Sequence, residues 1–387
     1  MVKVAFVIQR YGTEIQGGSE LLCRELAEHM SKYWDVEVLT TCAKDYISWK
    51  NEYEEGIYKV NDVLVRRFKV DKKRNIRLFN LYSKIIYGKK NSIRREENWM
   101  KFQGPFSTPL FRFIENNKDH YQYFFFFTYL YCTSYFGLSL VSDKGILIPT
   151  AHDEPPIHLG IFKKMFALSQ GFIFNTAEEE FLVNRLFPCS NKISSVIGHG
   201  IDPPKVNGGF RAKYGIQANY ILYVGRIDRM KGVKELCSYF GRFIKDTNIP
   251  IKLVLAGPQV MRIPDDPNII YLGLLSEQDK NEAIHEAEFT VISSKYESLS
   301  IFALESWILK KPVLCHEDCK VLAGQCERGG GGVAYQDYET FRQNMKLFFS
   351  DPSYGKKLGE NGYQYVTKNY RWDIIERKYL NFMEQLH

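Results

Sequence analysis

Short apolar runs, each followed by a stretch of helical spacing, recur along this chain in two series, and that alternation leaves few folds open. The first series is Val2–Ile8, Val36–Leu39, Tyr123–Phe127, Gly145–Ile148, Gly171–Phe174 and Ile193–Ile197. The second begins after residue 200 with Tyr220–Val224, Ile251–Leu255, Ile269–Leu272, Phe289–Ile292 and Pro312–Cys315. Continuous apolar runs of strand length predict strands covered on both faces, as in parallel sheets, and the intervening stretches predict the covering helices. The opening unit is a strand, a loop with Gly12, Gly17 and Gly18, then Ser19 as the expected cap of a helix carrying Leu21, Leu22, Leu26 and Met30. Two doubly wound Rossmann-like α/β domains follow, which suits 387 residues. The expected boundaries are 1–198, 199–369 and a closing helix over 370–387, with a Pro/Gly-rich linker at Asp202–Gly209.

The totals exclude several classes. A net charge of +7 is too small to argue for nucleic acid without a basic motif. The eight cysteines are scattered, and Cys315, Cys319 and Cys326 beside His316 lack the CxxC spacing of a zinc site, so reduced thiols are expected. Val2–Ile8 runs directly into Gln9 and Arg10, which does not read as a signal peptide. Residues 121–142 carry no formal charge over a membrane-spanning length, yet five tyrosines and several hydroxyl residues favour a buried strand and a short helix. Residues 66–101 differ from their surroundings. They hold 13 Lys and Arg against Asp71, Glu96 and Glu97, interleaved with Phe68, Phe79, Tyr82, Tyr87 and Trp99. They read as a basic insertion of loops and one or two helices in the first domain.

The chemistry concentrates in the second half. Gly225 and Arg226 stand just past a strand, and Lys231 and Gly232 open a helix. A glycine admits close approach of a ligand, and two cations beside a helix N-terminus suit a diphosphate. Further on, Glu297 lies in a strand–helix turn and Glu305 more than one turn into the helix, if that helix starts near Ser300. The backbone N–H groups of Ser298, Leu299 and Ser300 would then lie at its N-terminus, suited to phosphate oxygens. Read separately, each feature is also met as a basic turn or a pair of helix-surface charges. Tyr129, Leu130 and Tyr131 fit either packing or ligand contact, Glu178, Glu179 and Glu180 read as an acidic first turn after capping Thr176, and His199 as a polar residue near the domain junction.

Together, GRIDRMKG (225–232), LVLAGP (253–258), YLGLLSEQD (271–279) and the 293–314 segment resemble the donor-binding domain of glycosyltransferase family 4. GGSELLCRELAEHM, TAHDE (150–154), GHGID (198–202) and YRWDIIERKYLNF (370–382) resemble that family's glycine loop, histidine-bearing strand end, inter-domain entry and closing helix. The resemblance implies a GT-B fold, two Rossmann-like domains facing each other across a cleft, and retention of the donor's anomeric configuration. It implies that Arg226 and Lys231 neutralise the donor diphosphate and that Glu305 accepts from the ribose hydroxyls. Glu297 would hold the transferred sugar, Gly17 and Gly18 would let the first domain approach the phosphates, and His152 would face the sugar near the reacting carbon. Gly225, Ser298, Leu299 and Ser300 complete the implied donor site. This chain has Ser298 and Leu299 after the first glutamate where many relatives have glycine.

The expected function is therefore a retaining transfer of a hexose or deoxyhexose from a nucleotide-diphosphate sugar to a glycan or polyprenyl-linked glycan, in surface-polysaccharide assembly. Without a DxD-type loop at a strand end, the site is expected to need no metal, Arg226 and Lys231 standing in for it. The other partner expected is an anionic membrane surface, met by the basic insertion from the cytoplasmic side, with no nucleic acid. A sugar-nucleotide epimerase and a non-catalytic nucleotide-sugar-binding partner of an assembly complex are the alternative readings.

Overall fold

The computed structural model describes residues 1–15 and 17–386 and divides into two compact units. The first comprises Met1–His199 with Glu376–His387, and the second Gly200–Ile375.

The first unit is built on β1 (Lys3–Val7), β2 (Asp35–Thr41), β3 (Gly56–Val60), β4 (Val63–Phe68), β5 (Tyr123–Phe127), β6 (Gly145–Ile148), β7 (Gly171–Phe174) and β8 (Ile193–Val196). They form one sheet in the order β3-β4-β2-β1-β5-β6-β7-β8, parallel except for the β3–β4 pair. Every residue of β5 is buried, as a central parallel strand requires. Phe125 and Phe127 meet Phe6 at 5.2 and 5.4 Å between ring centres, while Phe124 and Phe126 stack on each other at 6.3 Å. A carboxylate lies inside this sheet. Glu37 of β2 is 1% exposed and accepts from Arg66 Nε at 2.8 Å and from the Tyr121 hydroxyl at 2.7 Å, the pairing a buried carboxylate demands.

Sequence reading missed the β3–β4 hairpin and placed the basic insertion three residues too early, since Arg66, Arg67 and Phe68 belong to β4. The hairpin's two-residue turn is Asn61-Asp62, both left-handed at φ 46° and 65°, which matches the type I′ geometry that joins twisted strands. The insertion proper holds α2 (Ile76–Ile86) and α3 (Ile93–Gln103). The first helix of the chain, α1 (Gly18–Met30), starts two residues earlier than expected. Its N-cap is Gly17, without a side-chain cap, while Ser19 lies inside the helix.

The second unit carries β9 (Asn219–Val224), β10 (Ile251–Ala256), β11 (Ile269–Tyr271), β12 (Thr290–Ile292), β13 (Val313–His316) and β14 (Gly332–Tyr335) in one parallel sheet, ordered β11-β10-β9-β12-β13-β14. β14, after a run of glycines, was not expected. The Pro/Gly-rich stretch before β9 is no loose linker. Glu282 accepts from the backbone N–H groups of Asn207 and Gly208 at 2.7 and 2.8 Å, and Glu286 from those of Phe210 and Arg211 at 2.8 and 2.9 Å. Nearby, a Cβ on Gly200 would fall 2.2 Å from Trp372, so the glycine lets this backbone pass under the indole.

The closing helix spans Trp372–Glu384, and from Glu376 onward it clusters with the first unit. There Glu376 accepts from His29 Nδ1 at 2.6 Å, from Lys32 Nζ at 2.9 Å and from the Tyr33 hydroxyl at 2.9 Å. Residues 121–142 form β5 and the short helix Cys132–Leu138, and among the described residues no helix is long and apolar enough to cross a membrane.

Candidate functional site

In an open parallel sheet, ligands bind beyond the carboxyl ends of the strands where the strand order reverses. In the second unit that point lies between β9 and β12, whose following loops carry 225–232 and 293–300. After β9 the chain turns at Gly225, where φ is 153°, and the Tyr223 hydroxyl donates back to the Arg226 carbonyl at 3.0 Å. Arg226 Nε lies 3.0 Å from Asp228 Oδ2, and the other oxygen of Asp228 accepts the Met230 N–H and caps a short 3₁₀ turn. Gly232, left-handed at φ 74°, begins the helix Val233–Thr247. Two contacts hold this loop against its neighbours. A Cβ on Gly232 would fall 2.1 Å from the Ser293 carbonyl oxygen, and one on Gly257 would fall 2.1 Å from the Gly225 carbonyl oxygen. Both glycines are required by close backbone approach.

The loop after β12 meets it directly. Ser293 Oγ donates to the Lys231 carbonyl at 2.8 Å, and Lys231 Nζ lies 2.7 Å from Glu297 Oε1. Tyr223 belongs to the same cluster: burial raises its pKa, Glu297 adds to the rise and Arg226 opposes it. The helix Ile301–Ile308 starts where expected, with Ser300 as its N-cap and the Ser300 hydroxyl accepting the Ala303 N–H at 3.3 Å. Glu305 is bound elsewhere. Its carboxylate takes Lys280 Nζ at 2.6 Å, both side chains being largely buried. Burial pushes the Lys280 ammonium down, but Glu305 and Glu277 outweigh it and its pKa is raised. Lys280 is a residue that sequence reading missed, and no spacing rule links it to a glutamate 25 positions on.

The first sheet reverses between β1 and β5. Past β1, Arg10 Nε donates to Glu20 Oε1 at 2.9 Å, Gln9 Nε2 donates to the same oxygen at 3.0 Å, and all three residues are buried. This pair, also missed from sequence, explains Gly17, because a Cβ there would fall 2.2 Å from Glu20 Oε2. A Cβ on Gly18 would meet nothing within 4 Å, so packing alone does not demand glycine at that position. Past β5 and β6, Thr128 and Thr150 sit in left-handed backbone at φ 67° and 48°, their hydroxyls 3.0 Å apart. That region is costly for β-branched residues and is concentrated at functional sites. His152 follows, with Nε2 3.4 Å from Glu154 Oε1, the oxygen that also accepts the Tyr129 hydroxyl at 2.9 Å. Tyr129 is 1% exposed and packs against Phe162, so it is a core residue.

Glu178, Glu179 and Glu180 do form the acidic first turn of a helix, and Glu179 has a further role. Thr176 does cap that helix, but Glu179 is buried and points inward. Its two oxygens accept the N–H groups of Ala151 at 2.6 Å and Asn175 at 2.7 Å, tying together the chain beyond β6 and β7. Burial raises its pKa to about 8 against the pull of those hydrogen bonds. His199 is buried, with Nε2 3.0 Å from Glu25. Cys315 and Cys326 bring their sulfurs to 3.8 Å, and no group of three or more His, Cys, Asp or Glu suited to a metal occurs among the described residues.

Residues 210–365 match the family model described as glycosyl transferases group 1. The chain is 22% identical over 411 residues to an uncharacterized glycosyltransferase of Methanocaldococcus jannaschii, covering 98% of this chain and 97% of that one. It is 27% identical over 167 residues to the alpha-D-kanosaminyltransferase of Streptomyces kanamyceticus, covering 39% and 42%. Its fold matches sucrose-phosphate synthase from Thermosynechococcus elongatus with a TM-score of 0.72, at 15% identity over 100% of this chain and 99% of that one. It also matches Anabaena HepE, solved with UDP and glucose, with a TM-score of 0.71 at 14% identity over the whole of both chains. The fold is thus the α/β architecture of two Rossmann-like sheets that GT-B glycosyltransferases have.

Proposed function

We propose that the protein is a retaining glycosyltransferase that moves a hexose or deoxyhexose from a nucleotide-diphosphate sugar to a glycan or polyprenyl-linked glycan. The observation that carries this reading is the Lys231–Glu297 contact at the switch point of the second sheet. A cation suited to the diphosphate and a carboxylate suited to sugar hydroxyls stand side by side, as the adjoining diphosphate and sugar of one donor require. In this assignment Arg226 and Lys231 stabilise the charge that builds on the departing nucleoside diphosphate as its bond to the anomeric carbon breaks. Gly225 admits the diphosphate, and the backbone of Ser298, Leu299 and Ser300 supplies the helix N-terminus of Ile301–Ile308. Glu297 orients the sugar and Glu305 the ribose. Gly17, Gly18 and His152 are the first unit's proposed share of donor binding. Cationic side chains and a helix dipole supply the positive charge, so the reaction is proposed to proceed without a metal. HepE, a neighbour in fold, was solved with UDP-glucose, which supports a nucleotide-sugar donor here. The reading further places the enzyme in surface-polysaccharide assembly, which the lipid-linked acceptor would serve.

The test is a screen of UDP-, GDP- and dTDP-hexoses for thermal stabilisation, since a bound donor raises the melting temperature. The stabilising donor is then incubated with polyprenyl-linked acceptors and the product's anomeric configuration read by NMR. Acceptor-dependent release of nucleoside diphosphate with retained configuration is expected. An epimerised nucleotide sugar formed without acceptor, or an inverted product, overturns it.

A further inference from the structure

The α2 helix has two apolar faces, and the fold uses only one of them. Phe79, Ser83 and Ile86 turn inward, where Trp99 of α3 lies 5.8 Å from the Phe79 ring and donates its indole N–H to the Ser83 hydroxyl at 2.9 Å. Tyr87 packs on the same Trp99 at 5.7 Å. Phe79, Tyr87 and Trp99, interleaved with the insertion's cations in the sequence, therefore form the hairpin's own core. Arg74, one of those cations, is likewise structural. It donates to the carbonyls of Tyr46, Ile47 and Gln103 and lies 5.0 Å from the Trp49 ring.

A different set of side chains is presented outward. Leu78, Leu81 and Ile85 are 54%, 60% and 43% exposed, and at helical pitch they fall within about 60° of arc on one stripe. Phe102 of α3, 48% exposed and 5.5 Å from the Tyr82 ring, continues it. Arg77 and Lys84 flank the stripe roughly a quarter-turn away, and exposed Lys89 and Lys90 lie in the turn between the helices. Across residues 76–103 the only carboxylates are Glu96 and Glu97. Glu96 accepts the Ile161 N–H at 2.9 Å and Glu97 the Tyr135 hydroxyl at 3.1 Å, so each is bound to a neighbouring segment.

We propose that the α2–α3 hairpin docks the protein on an anionic phospholipid bilayer, with Leu78, Leu81, Ile85 and Phe102 in the headgroup–acyl boundary and Arg77, Lys84, Lys89 and Lys90 on the lipid phosphates. Single exposed apolar residues are ordinary on a protein surface, but a contiguous apolar stripe rimmed by cations on one short helix is the pattern of interfacial binding. Eleven residues are too few to span a bilayer, so α2 lies in the interface. Charge selects the occupant: a second copy would bring like cations together across the contact, whereas an anionic surface satisfies both stripe and rim. This docking does not depend on the proposed transfer reaction and can hold or fail separately from it.

The experiment is sedimentation of the full chain with phosphatidylcholine vesicles and with mixed phosphatidylglycerol–phosphatidylcholine vesicles, at low and high salt. Binding is expected only to the mixed vesicles and should fade with salt. Leu78→Ser/Leu81→Ser/Ile85→Ser and Arg77→Gln/Lys84→Gln/Lys89→Gln/Lys90→Gln should each weaken partitioning by roughly tenfold or more, with unchanged melting temperature. If the triple variant melts lower, Leu81→Gln alone takes its place, because that side chain is the most exposed of the three. Absence of binding to mixed vesicles, equal binding to neutral ones, or binding untouched by both variants overturns the proposal. So does a concentration-dependent dimer, formed without vesicles and abolished by the apolar variant.

Discussion

The Lys231 ammonium lies 2.7 Å from the Glu297 carboxylate, so the cation assigned to the diphosphate and the anion assigned to the sugar constrain each other. Glu297→Ala should therefore leave nucleoside diphosphate affinity intact or tighter, because Lys231 loses a competing anion, while transfer collapses. Calorimetry with UDP, GDP and dTDP decides this. A clear loss of nucleotide affinity in Glu297→Ala would mean that the carboxylate serves the diphosphate by positioning Lys231.

Lys231→Ala and Arg226→Ala should each lower kcat by about 10²–10³, the usual loss when one charge-stabilising group is removed from a preorganised site. Circular dichroism should show the fold unchanged. Near-normal turnover in both variants removes them from the reaction.

Glu305 has a structural partner, which complicates the obvious test of its ribose role. Removing it leaves the largely buried Lys280 with only Glu277, at 2.7 Å, to balance its charge, so Glu305→Ala should lower the melting temperature as well as nucleotide affinity. Lys280→Ala/Glu305→Ala should regain stability without regaining affinity. If affinity returns along with stability, Glu305 acts on the fold and not on the ribose.

Glu179 makes the first unit's stability depend on pH. Its carboxyl has a pKa of about 8 in the fold, raised from 4.5 by burial. The stabilising contribution of a group raised in this way is complete below the unfolded value and is lost as pH climbs through the folded one. Glu179→Gln lacks this dependence, so its melting temperature should gain on the wild type between pH 4.5 and pH 8. A constant difference across that range would show that Glu179 titrates normally.

Gly257 is not among the assigned site residues, yet Gly257→Ala should impair turnover. The added methyl would fall 2.1 Å from the Gly225 carbonyl oxygen at a backbone φ of 130°, displacing the loop that carries Arg226. Steady-state kinetics should show a fall in kcat beyond what the change in melting temperature explains. Unaltered kcat would mean that the loop tolerates the shift.

Turnover should survive EDTA, since the proposed site supplies its own positive charge through Arg226 and Lys231. Loss of activity restored by Mg²⁺ or Mn²⁺ refutes this.

Most of the parallel strands were legible because they stand in the sequence as unbroken apolar runs such as Tyr123–Phe127, which is buried throughout, whereas β4 and β14, parallel as well, were not. β3 alternates in burial, and its turn uses Asn61-Asp62 without a glycine, so the hairpin left a weaker trace. The loop residues Gly225, Arg226, Lys231 and Glu297 belong to contiguous motifs, which made them readable. Their partners are tertiary: Lys280 reaches Glu305 from another helix, Glu179 holds the N–H of Ala151, and Glu20 meets Arg10 across the glycine loop. Nor does composition tell which side of α2 faces out. Aromatic residues drew attention to Phe79 and Trp99, while the exposed stripe is the aliphatic Leu78, Leu81 and Ile85.

The first unit's dependence on Glu376–His387 has a consequence for synthesis. A ribosome delivers all eight strands of the first sheet, then the entire second unit, and only afterwards the turn of helix that seats Glu376 on His29, Lys32 and Tyr33. The first unit thus waits for its last segment until the whole second unit has been made. Maturation then runs against the order of translation: the lobe made first is the one finished last.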